Sequence, residues 1–164
     1  MSFSLEGVKI PTEFKAFYCD TGLLISQLSD DIPAKILSGD LSAYKGAIAE
    51  NMVASAFTSN DMKLYYFHAP SGSPELDFLF EDNGEAVIVE CKATNNQATS
   101  MKYVIGNQKN YGIHPAIKLA DTNIVQGDGF TTYPLYAIGF MEPIVSNTVI
   151  EPVDIKQLKI PDNN

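Results

Sequence analysis

The sequence predicts an α/β protein with a mixed central sheet flanked by helices. A long segment rich in Ala, Ile and Met predicts a helix, and three runs with the residue types and alternation of strands follow it. A second helical segment then leads to a short apolar strand, and this strand–helix–strand step predicts a right-handed crossover between parallel strands. A length of 164 residues is typical of a single domain.

The elements follow one another in the order helix, three strands, helix, strand. We expect them at residues 42–58 (helix, with Ser42 as N-cap), 62–68, 75–81 and 85–92 (strands), 99–110 (helix) and 116–120 (strand). Residues 133–141 are apolar and fit either a helix or a strand. The core then spans residues 41–141, a lead-in segment of residues 1–40 packs on it, and residues 142–164, with three prolines, form a weakly defined tail.

Composition excludes several classes of protein. Hydrophobic residues make up 45% and charged residues 19% of the chain, which excludes wholesale disorder. No apolar run is long enough to span a membrane, and the N-terminus lacks the basic and apolar regions of a secretory signal. Cys19 and Cys91 are too few for a disulfide framework and have no zinc spacing, so we expect a reducing, cytoplasmic setting.

The charge of the chain indicates which partners it can bind. The net charge is −9, and all eleven basic residues are Lys. Affinity for phosphate backbones comes from cationic contacts, which Arg makes best, so the isolated chain is expected to bind nucleic acid only weakly. Acidity is nevertheless compatible with a carboxylate cluster that holds divalent metal ions.

A hairpin brings two carboxylates together. Asn83-Gly84 predicts a type I′ turn, which pairs Asp82 with Glu85 and, in the same register, Asp77 with Glu90. Opposite residues have Cβ atoms about 4.5–5.5 Å apart, so the two carboxylates repel unless a positive group lies between them. Lys92 is one candidate for that group and a bound divalent ion is the other.

Alternation along the two strands predicts which residues share a face. One face is expected to carry Asp77, Leu79, Ile88, Glu90 and Lys92, and the other Leu76, Phe78, Phe80, Val87, Val89 and Cys91. Cys91 is therefore expected to be a core thiol. A solvated hairpin edge would also carry acids and a lysine, but the continuous apolar run Val87-Ile88-Val89 favours a central strand.

Glu50 is a further member of this cluster. Its neighbours one turn away on the predicted helix are Gly46, Ala47, Val53 and Ala54, which are small or apolar. An acid on a packed face needs a metal, a Lys or hydrogen-bond donors as partner. If the helix packs on the sheet, Glu50 can reach the Asp77–Glu90 pair.

These residues resemble a known signature. Asp77 and then Glu90-Cys91-Lys92, preceded by a helix with Glu50, is similar to the PD-(D/E)XK motif of the restriction-endonuclease-like superfamily, whose αβββαβ core matches the predicted order. The chain resembles more closely the uncharacterised domain found C-terminal to AAA-type ATPases and a winged helix. The motifs that carry this second resemblance are Phe17-Tyr18-Cys19-Asp20-Thr21-Gly22-Leu23, Gly46 to Glu50-Asn51, Glu75-Leu76-Asp77-Phe78 and Val89-Glu90-Cys91-Lys92.

The resemblance implies a metal-dependent phosphodiester hydrolase. Asp77, Glu90 and the main-chain carbonyl of Cys91 would bind Mg²⁺ or Mn²⁺, and Glu50 would complete that site or help to hold a second ion. Lys92 would orient the attacking water and stabilise charge on the phosphate. The chain has no G-x-x-x-x-G-K-[ST] loop, so the ATPase and winged-helix domains would lie outside it.

Two other functions compete with hydrolysis. The fold could be an inactive regulatory or interaction module of an ATPase, which the acidity and the absence of Arg favour, whereas the intact D…E-x-K motif favours a nuclease. A generic acidic metal-binding domain would leave Lys92 without a role.

Three further side chains are weaker candidates. His68 ends its strand and could border the cleft, although a structural role is more common for a lone His. His114 precedes Pro115 in a loop and is not a candidate. Lys102 and Tyr103 on the second helix could line a phosphate path, although a solvated Lys and a packing Tyr are the more common outcome.

Overall fold

The protein has a six-stranded mixed sheet with helices on both faces, which confirms the α/β class. The computed structural model describes residues 4–40, 44–94, 96–127 and 129–141. The strands are β1 (Tyr65–His68), β2 (Glu75–Asp82), β3 (Glu85–Lys92), β4 (Ala116–Ala120), β5 (Val125–Gly127) and β6 (Phe130–Pro134). The helices are α1 (Leu5–Val8), α2 (Thr21–Ser26), α3 (Ile32–Leu37), α4 (Lys45–Ser59), α5 (Thr99–Gly106) and α6 (Gln108–Tyr111), followed by a 3₁₀ helix, Leu135–Phe140.

The strand order is β1-β2-β3-β4-β6-β5. β1, β2 and β3 are antiparallel, whereas β3, β4 and β6 are parallel to one another, and β5 runs antiparallel to β6 at the edge. The predicted order of helix, three strands, helix and strand is confirmed. β3 lies between β2 and β4, and the residues at its end, Glu90 to Lys92, pair with β4.

The main helix, α4, begins later than predicted. Its first residue is Lys45, and Tyr44 occupies the N-cap position without a side-chain capping bond. The Ile48 amide donates to the Tyr44 carbonyl, so the helical hydrogen bonds start there. The N-cap prediction for Ser42 was therefore wrong, and Ser42 itself lies outside the described residues.

The predicted helix over 99–110 is two helices. α5 ends at Gly106, and Asn107, with φ −111° and ψ 54°, separates it from α6. Gly112, with φ 83°, ends α6 at the place that the sequence indicates. A glycine and an asparagine in succession interrupt the helix because both readily leave helical backbone angles.

Other boundaries differ because short elements give little periodicity. β1 begins at Tyr65, since Asp61 has a positive φ of 55° and Met62 turns into the core. Residues 133–141 are neither one helix nor one strand: Pro134 ends β6 and the 3₁₀ helix follows. β5, three exposed residues, was not predicted. The predicted tail, residues 142–164, lies outside the described residues.

The predicted hairpin register is confirmed. β2 and β3 pair from Asp82 with Glu85 to Phe78 with Val89. Asn83 and Gly84 have φ values of 50° and 79°, as a type I′ turn requires. The Asn-Gly turn therefore fixes the register as far as Phe78 and Val89, and Asp77, the next residue of β2, accepts a hydrogen bond from the Cys91 amide of β3.

The two faces of the sheet carry separate hydrophobic clusters. Phe78, Val89 and Cys91 pack with α4, whereas Leu79 and Ile88 pack with α5. Leu76 packs with the α5 cluster, so its predicted place beside Phe78 was wrong. The pairing of β1 with β2 shifts register between Leu76 and Leu79, and such a bulge breaks the alternation of side chains.

The lead-in segment is held to α4 by a buried amide. The Asn51 side chain is 2% exposed; its Oδ1 accepts a hydrogen bond from the Tyr18 amide at 2.8 Å and its Nδ2 donates to Thr21 Oγ1 at 3.2 Å. Asp20 caps α2 by accepting from the Leu23 amide at 3.1 Å. The motifs around Asp20 and Asn51 thus fix the lead-in against the core.

In the described part of the chain, no helix is both long and apolar enough to cross a membrane.

The Asn51 anchor can be tested by its removal. We expect Asn51→Ala to lower the free energy of unfolding by about 1–2 kcal/mol, because the Tyr18 amide loses its acceptor. Urea unfolding of the whole chain measures this. The control is Asn110→Ala, an exposed asparagine in α6, and an equal loss in both variants would contradict the anchoring role.

Candidate metal-binding and catalytic site

The site is built around a buried carboxylate at the end of the central strand. Glu90 is 3% exposed and lies between β2 and β4. Its Oε1 accepts from the Lys92 ammonium at 2.6 Å, whereas its Oε2 is buried without a hydrogen-bond partner among the described residues. Buried polar atoms are rarely left unpaired, so this oxygen is a position at which a cation would be stabilised.

Asp77 lies beside this pair. Its Oδ2 accepts a hydrogen bond from the Cys91 backbone amide at 2.9 Å and is 3.7 Å from the Lys92 ammonium. Lys92 therefore contacts both carboxylates, and its ammonium is one positive group that lies against them, as the sequence allows. The structure thus brings Asp77, Glu90 and Lys92 together.

Glu50 lies on α4, which packs on the face of the sheet that carries Phe78, Val89 and Cys91. Val53 and Ala54 are buried, but Gly46 and Ala47 are exposed, so Glu50 is half-buried at the edge of the packed face rather than within it. Burial raises the pKa of the Glu50 carboxyl, and the charge of Asp77 raises it further against the opposing charges of Lys15 and Lys92. Glu50 thus shares an electrostatic environment with Asp77.

The charges of the cluster are coupled. Burial and the charge of Asp77 raise the pKa of Glu90, although the hydrogen bond from Lys92 lowers it. Burial lowers the pKa of Lys92, but the hydrogen bond to Glu90 and the charge of Asp77 outweigh that effect, and the net shift is upward. Lys92 is therefore protonated at neutral pH and is unsuited to act as a general base.

Cys91 is excluded as a nucleophile. Its thiol packs in the α4 cluster with Phe78 and Val89, on the face that the sequence predicts. Burial, with the nearby charge of Asp77, raises the pKa of the thiol to about 12. The reactive thiolate is therefore absent at neutral pH.

The donor set fits a hard divalent cation in part. Carboxylate oxygens are the ligands that Mg²⁺ and Mn²⁺ prefer, and Asp77, Glu90 and Glu50 supply them. Within residues 4–40, 44–94, 96–127 and 129–141, however, no three His, Cys, Asp or Glu side chains are grouped closely enough to hold a metal ion. The ammonium of Lys92 lies against both Asp77 and Glu90, so a metal would need this ammonium to move.

His68 has a structural role in the described residues. Its Nε2 is 2.8 Å from Glu13 Oε2, its Nδ1 is 3.2 Å from the Ala69 carbonyl, and its ring stacks on Tyr66. The hydrogen bond to Glu13 raises the pKa of His68. The ring ties the lead-in segment to β1.

His114 and the remaining weak candidates also have local roles. His114 Nε2 is 2.7 Å from the Tyr111 carbonyl, in the loop before β4. Tyr103 is exposed and packs edge-on against Tyr111, whereas the Lys102 ammonium lies 5.7 Å from the centre of the Phe130 ring.

Sequence reasoning missed Lys118. This lysine is 5% exposed, lies on β4 and is the register partner of Glu90. The signal was a lysine at the centre of the otherwise apolar strand Ala116–Ala120. Lys15 was also missed: it pairs with Glu75 at 2.7 Å, near the start of β2.

Comparison with known proteins gives one match. A family model described as "Domain of unknown function (DUF4143)" matches residues 45–138, which is more than half of the chain. This region includes Glu50, Asp77, Glu90 and Lys92. Neither the curated proteins nor the solved structures gave a match.

The raised pKa of Glu50 predicts that the free energy of unfolding depends on pH. Because its folded-state pKa is raised from 4.5, the folded protein keeps a proton that the unfolded chain has lost, and the free energy of unfolding falls as the pH rises through this window. Glu50→Gln lacks this ionisation. In the absence of divalent metal, we expect it to be more stable than the parent at pH 7, with the difference lost below about pH 4.

Thermal unfolding at a series of pH values measures this effect. The matched control is Glu85→Gln, an exposed glutamate at the hairpin turn. If the two variants change stability at pH 7 by the same amount, the surroundings of Glu50 do not disfavour its ionised form.

Proposed function

The chain belongs to the DUF4143 family, and we propose that its acidic cluster is the active site of a divalent-metal-dependent phosphodiester hydrolase. In this proposal the fold is a restriction-endonuclease-like αβββαβ core and the cluster is a PD-(D/E)XK site. The observation that carries the proposal is the arrangement at the end of β3, where Lys92 contacts both Asp77 and Glu90 while Glu90 Oε2 is buried without a partner among the described residues.

Asp77, Glu90 and the Cys91 carbonyl would hold Mg²⁺ or Mn²⁺, with Glu50 as a further carboxylate. When bound, the metal would supply Lewis-acid activation of the phosphate and of water. The hydrogen bond from the Cys91 amide fixes the Asp77 carboxylate, so one ligand is already oriented. Burial of Glu90 strengthens its attraction for a cation because little water screens its charge.

Lys92 would act on the phosphate rather than on metal binding. Its raised pKa keeps the ammonium charged, so it can donate hydrogen bonds to an attacking water and to a phosphate oxygen as negative charge develops. With a metal held by the carboxylates, the Lys92 ammonium would be released from Glu90 and could be directed to the substrate. The same lysine would thus be the counter-ion of the resting site and a catalytic group of the loaded one.

The second candidate is a non-catalytic module of an ATPase. The family is associated with the C-terminal regions of AAA-type ATPases. The net charge of −9 and the absence of Arg favour a protein partner over autonomous nucleic-acid binding. In this alternative, Lys92 stays paired with Asp77 and Glu90, and the cluster binds no metal ion.

Metal binding separates the two candidates. We expect saturable binding of Mn²⁺ to the whole chain by titration calorimetry, and loss of this binding in Asp77→Asn, which removes an anionic ligand with little change in shape. Asp82→Asn, on the same strand but at the turn, is the matched control and should bind as the parent does. Absence of saturable binding to the parent would favour the non-catalytic module.

Lys92→Ala tests the catalytic assignment. This variant should retain Mn²⁺ binding, and bind more tightly, because the ammonium no longer competes for Asp77 and Glu90. Cleavage of single- and double-stranded DNA and RNA, screened with Mn²⁺, should fall by about 10²–10³-fold, as when one charge-stabilising donor is removed from an active site. The control is Lys109→Ala in α6, and parent-level cleavage by Lys92→Ala would contradict the role.

A further inference from the structure

A pocket opens at the carboxyl end of the sheet, beside the acidic cluster. The parallel strands β3, β4 and β6 end in one row, because Lys92 is the register partner of Ala120 and Ala120 is the register partner of Pro134. The ends of β4 and β6, with the residues that follow them, line a pocket of about 390 Å³. Ligands commonly bind outside the carboxyl ends of parallel strands, and pockets for small ligands have volumes of about 300–1,000 Å³.

The pocket adjoins the lysine of the acidic cluster. Neighbouring strands lie about 4.7–4.9 Å apart, so Ala120, which lines the pocket, is one strand away from Lys92. A substrate whose phosphate is held at Asp77 and Glu90 would therefore bring the chemical group next to that phosphate to this pocket.

The walls of the pocket combine an aromatic ring with polar side chains. Tyr136 lines the pocket and is 72% exposed, and Pro134 adds an apolar wall. Asp121, Thr122 and Asn123, which follow β4, supply a carboxylate, a hydroxyl and an amide. An exposed ring is a platform on which a nucleobase can stack, and polar side chains beside it can bind the edge of that base.

The charge of the pocket favours a base over a phosphate. None of the described lining residues is basic, and the Asp121 carboxylate would repel a phosphate. Asp121 pairs with Lys45 at 3.6 Å, but 74% of the Asp121 side chain is exposed, so its oxygens can also accept hydrogen bonds from a ligand. A carboxylate accepts hydrogen bonds and donates none, so it favours a base with an exocyclic amino group, which thymine lacks.

We propose that this pocket binds an unpaired nucleobase that carries an amino group, stacked on Tyr136 and hydrogen-bonded to Asp121 and Asn123. Its place in a reaction rests on the proposed function: the base would belong to the nucleotide next to the cleaved phosphate, and the substrate would be single-stranded there. A free nucleoside compound is the other source of the same chemistry.

Neutral nucleosides test the pocket without a contribution from phosphate or metal. The whole chain is titrated with deoxycytidine and, separately, with thymidine in the presence of EDTA, and the backbone amide shifts are followed by NMR. These two pyrimidines have the same ring size, but only deoxycytidine carries an exocyclic amino group. We expect saturable shifts at Asp121, Asn123 and Tyr136 with deoxycytidine, and several-fold weaker binding of thymidine. The absence of saturable shifts, or equal affinity for the two nucleosides, would overturn the proposal.

Variants of exposed residues test the two contacts separately. Tyr136→Ala should weaken deoxycytidine binding about tenfold through loss of the stacking contact, whereas Tyr136→Phe keeps the ring and should bind as the parent does. Asp121→Ala should remove the preference for deoxycytidine over thymidine. Lys45→Gln removes the ion pair but keeps the carboxylate, so it should retain that preference. Parent affinity in Tyr136→Ala, or loss of the preference in Lys45→Gln as well, would contradict these roles.

Asp77→Asn separates this pocket from the metal site. This variant should lose Mn²⁺ binding and keep deoxycytidine binding, because the base contacts lie after β4 and β6 rather than on β2. A parent chain that binds Mn²⁺ but no nucleoside would overturn the pocket alone, and one that binds deoxycytidine but no Mn²⁺ would overturn the metal site alone.

A competition experiment identifies the source of the base. We expect a short single-stranded oligodeoxycytidine to displace deoxycytidine from the parent, and the same strand in a duplex not to displace it, because pairing occupies the amino group. If the single strand also fails to displace the nucleoside, the ligand is a free nucleoside compound and the assignment to a nucleic-acid strand is wrong.

Discussion

The buried carboxylate of Glu90 is the constraint on which the other features of the site depend. An ionised carboxyl at 3% exposure loses most of its hydration, and a cation has to compensate for that loss. Lys92, two residues along the same strand, provides one contact, and Asp77 is near enough to share the same ammonium. β3 lies between β2 and β4 in the sheet. The buried Glu90 carboxylate therefore depends on the Lys92 ammonium to compensate its charge.

The lead-in segment closes the site from the side of α4. Asn51 fixes the backbone at Tyr18, Phe17 packs on Phe78 with ring centroids 5.5 Å apart, and Lys15 pairs with Glu75 beside β1. Each of these contacts lies within a few residues of Glu50 or Asp77. Residues next to Glu50 and Asp77 in sequence thus hold the lead-in segment in place. Motifs such as Asp20-Thr21-Gly22-Leu23 then have a structural role, since Asp20 caps α2.

The sequence was sufficient where local chemistry decides the structure. Asn83-Gly84 requires a two-residue turn, and the turn sets the pairing of β2 with β3 up to Phe78 and Val89, next to Asp77 and Glu90. The sequence was insufficient where pairing with strands that are distant in the chain decides the structure. The face of Leu76 changes because pairing with β1 inserts a bulge, and Lys118 meets Glu90 through a parallel register that no turn encodes. The site was predictable on one hairpin, but its extension across the sheet was not.

The unpartnered Oε2 of Glu90, among the described residues, helps to distinguish a functional site from an inactive one. Burial and the charge of Asp77 raise the pKa of Glu90, so the ionisation of this carboxyl lowers stability at neutral pH. Well-packed neutral residues often replace buried ion pairs without loss of stability, so a purely structural role does not require two acids and a lysine here. A divalent ion would compensate for these costs together, because it would neutralise Asp77 and Glu90, occupy the free Oε2 and release Lys92. This balance is the physical argument for the metal in the proposed function.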